Sequence, residues 1–224
     1  MIKKIAVFED GSGFGGAVFS LMENLRNLSG DDFEFVIVHS LYDSRFEAFS
    51  DYKNCKVLFH RFYRWKCKFY FLDFIFERLN IYLLMNTITT YLILLKIRPC
   101  LVYTNNDLEC NLHAIIAAKL LNFPVVAHER DIPDFWSKTT KLYFNTISNV
   151  IAVSEATRCA VKDLGFPEKR IIKLLNGINN QDLLDKAKKN SINSVKRYHQ
   201  LPLDKKIILG MIKYERNRVV FIFF

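Results

Sequence analysis

Short all-apolar runs alternate along this chain with stretches in which apolar residues return every three or four positions. Ile5-Ala6-Val7-Phe8 reads as a first strand, and Val18, Leu21, Met22, Leu25 and Leu28 then share one helical face. Phe33–Val38 is a second strand, Lys56–Phe59 a short third, and Cys100-Leu101-Val102-Tyr103 another that follows a helix. Leu112, Ile115, Ile116 and Leu120 mark a further helix, which ends before the strand Pro124-Val125-Val126-Ala127. Val150-Ile151-Ala152-Val153 is strand-like again, Ser154 is placed to cap a helix, and Gly165 with Pro167 closes it. Strand, helix, strand in this rhythm requires crossover connections. The predicted class is therefore α/β, a Rossmann-like parallel sheet with helices on both faces.

The uncharged stretch Leu79–Leu95 is shorter than the ~20 apolar residues of a membrane span, and it contains Asn80, Asn86, Thr87, Thr89 and Thr90. Ile81, Leu84, Met85, Ile88, Leu92 and Leu95 fall on one stripe, which predicts a helix laying that stripe on the sheet. Just upstream, in Phe59–Phe71, seven aromatics interleave with Arg61, Arg64, Lys66 and Lys68. Two readings stand side by side for it: a peripheral contact with an anionic membrane surface, or a partly buried loop and helix with snorkelling basic chains.

Half of the 224 residues are apolar, which excludes a disordered tail protein. The net charge of +9 favours anionic partners such as phosphate-bearing ligands or anionic lipid. The basic residues are scattered and carry no nucleic-acid-binding fingerprint, so nucleic acid is not among the expected partners. Cys55, Cys67, Cys100, Cys110 and Cys159 form neither a CxxC pair nor a Cys/His metal spacing, as expected of a reduced cytosolic chain. The apolar run after Met1-Ile2-Lys3-Lys4 is too short for a signal-peptide core, which also predicts a cytoplasmic protein.

Candidate chemistry sits at two strand ends. Gly11-Ser12-Gly13-Phe14-Gly15-Gly16 lies between the first strand and first helix, where glycines let an anion approach a helix N-terminus. Gly11, Gly13 and Gly16 satisfy G-x-G-x-x-G, but the second strand ends Val38-His39-Ser40 without the acidic residue that holds a ribose. An NAD(P)-binding oxidoreductase is disfavoured accordingly. The second cluster is His128-Glu129-Arg130-Asp131, at the carboxyl end of the strand Val125–Ala127, where open α/β sheets place ligands. A pairing of these charges on a surface loop is the alternative, and position favours function for His128.

These segments together resemble the N-terminal domain of GT-B glycosyltransferases of family 4. The resemblance rests on Gly15-Gly16-Ala17, Leu101–Asn105, Pro124–Glu129 and Val150–Thr157, then on Leu164–Ile171 and Asn176-Gly177-Ile178-Asn179, and covers about residues 2 to 212. It implies transfer of a sugar from a nucleotide-sugar donor to a glycan or lipid-linked acceptor in cell-surface polysaccharide synthesis. The anomeric configuration would be retained, with no metal and no cofactor beyond the donor. Gly15 and Gly16 would then approach the donor phosphate, and His128 would contact the donor sugar as the catalytic residue. Asn105, Asn106, Glu129 and Arg130 would line the acceptor side. The resemblance implies a domain over residues 1–190 and a linker with the start of a second over 191–224. A lysine-led strand at Lys205–Met211 and an apolar tail at Val219–Phe224 are expected there, as in a chain cut before most of its second domain. A non-catalytic acceptor- or membrane-binding module is the alternative function.

Overall fold

The computed structural model of the chain describes residues 2–11, 13–28, 32–41, 43–60, 80–177, 184–185, 192–204, 208–214 and 217–223. Two compact units emerge, Met1–Ile178 and Asn179–Phe224.

In the first unit seven strands form one parallel sheet: β1 (Lys3–Glu9), β2 (Phe33–His39), β3 (Cys55–Phe59), β4 (Leu101–Asn105), β5 (Val125–Glu129), β6 (Ile147–Ala152) and β7 (Ile171–Lys173), in the order β3-β2-β1-β4-β5-β6-β7. The helices are α1 (Gly16–Leu28), α2 (Ile81–Ile97), α3 (Leu112–Leu120), α4 (Lys138–Leu142) and α5 (Glu155–Asp163). Two-residue alternation sends the strands' side chains into two cores. Ala6, Phe8, Val36, Val38, Val102, Val125, Ala127 and Val150 meet α2, α3 and α5 on one face. On the other face, Val7, Phe35, Ile37 and Cys55 pack under α1 and under a 3-10 turn at Ser44–Asp51 that contributes Phe46 and Phe49. The class expected from the sequence is the class observed.

Local chemistry explains where α5 begins and ends. Ser154 Oγ accepts from the Thr157 N–H at 3.0 Å. At the other end Gly165, at φ +99°, donates to the Lys162 carbonyl and Phe166 to that of Val161, while the Phe166 ring enters the core beside Val161.

One helix is turned opposite to expectation. In α2 the predicted inner stripe points outward: Leu84, Met85, Ile88, Leu92 and Leu95 are exposed, and Asn86, Thr87, Thr90 and Leu94 are buried. Apolar residues surround this helix, since Leu83, Ile93 and Ile97 lie off the stripe, so periodicity alone does not choose its inner side. The threonines are short enough for close approach to neighbouring elements, and Thr87 Oγ1 satisfies itself by donating to the Leu83 carbonyl at 2.7 Å. Among the described residues no helix is long and apolar enough to cross a membrane.

The second unit contains α6 (Ile192–Tyr198) and an antiparallel pair, β8 (Ile208–Tyr214) and β9 (Asn217–Phe223), with Ile208 opposite Phe223. The segment expected to be an apolar tail is thus mostly a paired strand. Of the aromatic and basic stretch Phe59–Phe71, only Phe59 and His60 lie within the described residues.

Candidate functional site

Strand order reverses between β1 and β4, and in open parallel sheets the connections diverge at such a point, leaving a crevice outside the carboxyl ends. Glu9 and Asn105 are in register at those two ends, and both are buried. Asn105 Nδ2 donates to Glu9 Oε2 and, at 3.4 Å, to the carbonyl of Ala17 in the first turn of α1. Asn105 Oδ1 accepts from Arg130 Nε at 2.7 Å, and the Asn105 carbonyl accepts from Asn111 Nδ2 at 2.6 Å. A single amide side chain therefore ties β1, β4, the end of β5 and α1 together. Arg130 continues the network: its Nη1 donates to Ser20 Oγ at 2.7 Å and to Asn176 Oδ1 at 2.8 Å, and Ser20 Oγ donates to the same Asn176 oxygen at 2.9 Å. Burial raises the Glu9 carboxyl above its usual range, opposed by Asn105, the Gly11 amide and the charge of Arg130.

The glycine turn lies against this network. Gly11 donates its N–H to Glu9 Oε1 at 3.2 Å, and a Cβ at Gly11 would collide with the Asn106 side-chain amide and stand 2.6 Å from that same oxygen. At Gly13, Gly15 and Gly16, by contrast, a Cβ would meet nothing within 4 Å. The Gly15 carbonyl accepts from the N–H groups of Val18 and Phe19 at 3.1 Å, which starts α1, and no acidic residue occupies the first turn. The glycines leading into α1 are thus sterically uncrowded, and a helix N-terminus attracts an anion.

Alternation along β5 sends the two residues of the second cluster that lie on it, His128 and Glu129, to opposite faces of the sheet. His128 points to the α1 side of the sheet, where it is buried, edge-on to the Tyr103 ring, with Nδ1 hydrogen-bonded to the Tyr103 hydroxyl. Its Nε2 has no partner among the described residues. Burial first and the Arg130 charge second hold its pKa down at about 3, so the imidazole is neutral at physiological pH. It lines an apolar groove of about 520 Å³ with Val7, Leu21, Leu25, Tyr103, Val126 and Ile151. Glu129 points to the opposite face, fully buried, and Oε2 accepts from the Leu108 N–H at 3.3 Å. Burial, and next the charge of Asp107, push its pKa well up.

Of the residues expected on the acceptor side, Asn105 and Glu129 are buried: the Asn105 amide is bonded to Glu9, Ala17 and Arg130, and Glu129 Oε2 accepts from Leu108. Asn106, at φ 92°, sits between Gly11 and β5, and its carbonyl accepts from the Arg130 N–H at 2.8 Å. Arg130 is half-buried at the strand ends, and His128 lies beneath them.

No protein-family model matches the sequence, and no curated protein matches it. Solved structures do. HepE of Anabaena in complex with UDP-glucose is 18% identical with a TM-score of 0.60, over 88% of this chain and 49% of that one. A glycosyltransferase from Rickettsia africae is 16% identical with a TM-score of 0.65, over 91% and 51%. The UDP-GlcNAc 2-epimerase of Methanocaldococcus jannaschii is 16% identical with a TM-score of 0.57, over 90% and 54%. The fold is glycosyltransferase-like. The chain spans about half the length of these neighbours.

Glu9 and Ser20 belong to the network and were not singled out from the sequence; Asn176 was named only as part of the segment Asn176–Asn179, with no role given to it. Glu9 had a local signal, an acid ending a strand directly before the glycine turn. Ser20 had none, and nothing local pairs either Ser20 or Asn176 with Arg130, which is 110 and 46 residues away.

Proposed function

We propose that this chain is a domain of a retaining GT-B glycosyltransferase that transfers a sugar from a nucleotide-sugar donor to a glycan or lipid-linked acceptor in cell-surface polysaccharide synthesis, on the cytoplasmic side of the membrane. The observation that carries the reading is the reversal of strand order between β1 and β4, where the uncrowded glycines that open α1 are joined by Arg130, fixed to Ser20 of the same helix. Gly15 and Gly16 take the donor phosphate there through backbone N–H groups. Arg130, locked by three oxygen acceptors, adds a fixed positive charge against the phosphates and holds α1 in place. His128, neutral and beneath the strand ends, supports Tyr103 through Nδ1.

The likeness to a UDP-GlcNAc 2-epimerase supports a second reading in which a nucleotide-sugar is bound without transfer to an acceptor. Amide NMR of the intact chain titrated with UDP-glucose tests the part common to both. Shifts at Gly13, Gly15 and Gly16 with a dissociation constant in the roughly millimolar range are expected for phosphate contacts from a single domain. Saturating donor that leaves those amides unmoved would overturn the assignment. Transfer or epimerisation of the sugar then separates the two readings.

A further inference from the structure

The helix α2 carries its large apolar side chains outward. Leu84 (59% exposed), Met85 (37%), Ile88 (52%), Leu92 (58%) and Leu95 (44%) form one stripe along three turns, while the opposite side buries Asn86, Thr87, Thr90 and Leu94. Single exposed leucines are ordinary on a protein surface, but a continuous stripe marks a contact. From Ile81 to Leu95 the helix has no charged residue, and the first to follow, Lys96 and Arg98, are basic and exposed at its C-terminal end.

The chemistry of the occupant follows from size and charge. Five partly exposed side chains make a patch of a few hundred Å², short of the ~800 Å² per partner that a stable dimer buries. A bilayer needs no matching area: an apolar helix face sinks to the boundary between headgroups and acyl chains, and basic residues at its edge meet anionic headgroups. The chain's net charge of +9 is complementary to such a surface. We propose that the outward face of α2 docks the protein on an anionic membrane. This surface is distinct from the crevice at the strand ends, and the proposal stands independently of sugar transfer.

Flotation of the intact chain with phosphatidylcholine vesicles, with and without phosphatidylglycerol, tests it. The protein should float with the anionic vesicles and much less with the neutral ones. Replacing Leu84, Ile88 and Leu92 together by serine should lower partitioning by about tenfold or more. The corresponding triple alanine variant, which keeps helix propensity, should give a loss in the same direction with an unchanged melting curve. Lys96→Glu should weaken binding to anionic vesicles alone. Undiminished flotation of the triple alanine variant would overturn the proposal, as would equal binding to neutral vesicles. Absence of vesicle binding, with a dimer on gel filtration that the alanine variant abolishes, would assign the stripe to a second copy of the chain.

Discussion

His128 should make the first unit sensitive to acid, and replacing it should remove a defined part of that sensitivity. In the folded chain its pKa is held down at about 3 by burial, with the Arg130 charge adding to the effect. In the unfolded chain an imidazole titrates near ~6.5. Below that pH the unfolded chain takes up a proton that the folded chain refuses, so stability is intact at neutral pH and is lost as pH falls from about 6.5 to about 3. The whole shift corresponds to nearly ~5 kcal/mol, of which about 2.5 kcal/mol falls between about pH 7 and about pH 4.5. That is a large share of a typical ~5–15 kcal/mol stability.

Asparagine at position 128 keeps an acceptor near Nδ1 for the Tyr103 hydroxyl and does not titrate. Tyr103 itself, pushed up to about 12 by burial, stays neutral throughout the range. The variant will lose some packing at every pH, so the informative quantity is the difference between the two stability curves measured by urea unfolding. His39, lowered by burial, adds a loss of the same sign in both proteins, and Glu9 and Glu129, both raised, oppose it in both. The difference should close by about 2.5 kcal/mol on acidification. Curves that stay parallel to within ~0.5 kcal/mol would show that His128 is hydrated or ionised in the folded chain, and the neutral Tyr103–His128 pair would have to be abandoned.

Glu129→Gln should stabilise the chain by about 1 kcal/mol above neutrality, because a buried carboxylate is disfavoured while the glutamine oxygen still accepts from Leu108. Since the Glu129 pKa is raised, the cost of ionising it is absent below about pH 4.5 and grows as pH rises, so the variant's advantage should widen with pH in urea unfolding; a constant gap would refute the shift. Gly11→Ala should cost about 2–3 kcal/mol, because the new Cβ collides with Asn106 and approaches Glu9, whereas Gly16→Ala meets only open space and should leave the melting temperature unchanged or slightly raised. Equal melting of the two variants would show that the turn does not lie on the strand ends.

The place of the crevice was legible in the sequence, and the direction of its side chains was not. Six of the seven strands announce themselves as apolar runs, and both candidate clusters directly follow such runs, so a parallel sheet carries them to its carboxyl edge. β7 is three residues long and owes its place to pairing with Val150–Ala152, a contact with no local periodic signal. Within the second cluster, Val125, Val126 and Ala127 are apolar on both sides of a strand covered on both faces. Alternation between apolar and polar residues, which would have set the phase, is therefore missing. Nothing local then shows that His128 faces α1, that Glu129 faces Leu108, or that Arg130 meets residues from both ends of the domain.

The same loss of phase governs α2. With apolar residues on all sides, the preference to bury a leucine is nearly equal in several orientations, and fit decides between them. Short threonines allow the backbone closer to its neighbours than leucines do, and a threonine that bonds its own helix, as Thr87 does to Leu83, enters the core at little polar cost. Leu84, Ile88 and Leu92 are left to the outside by that choice. Their exposure costs stability in water and supplies the apolar face that a bilayer would cover, so one packing decision inside the domain accounts for the surface outside it.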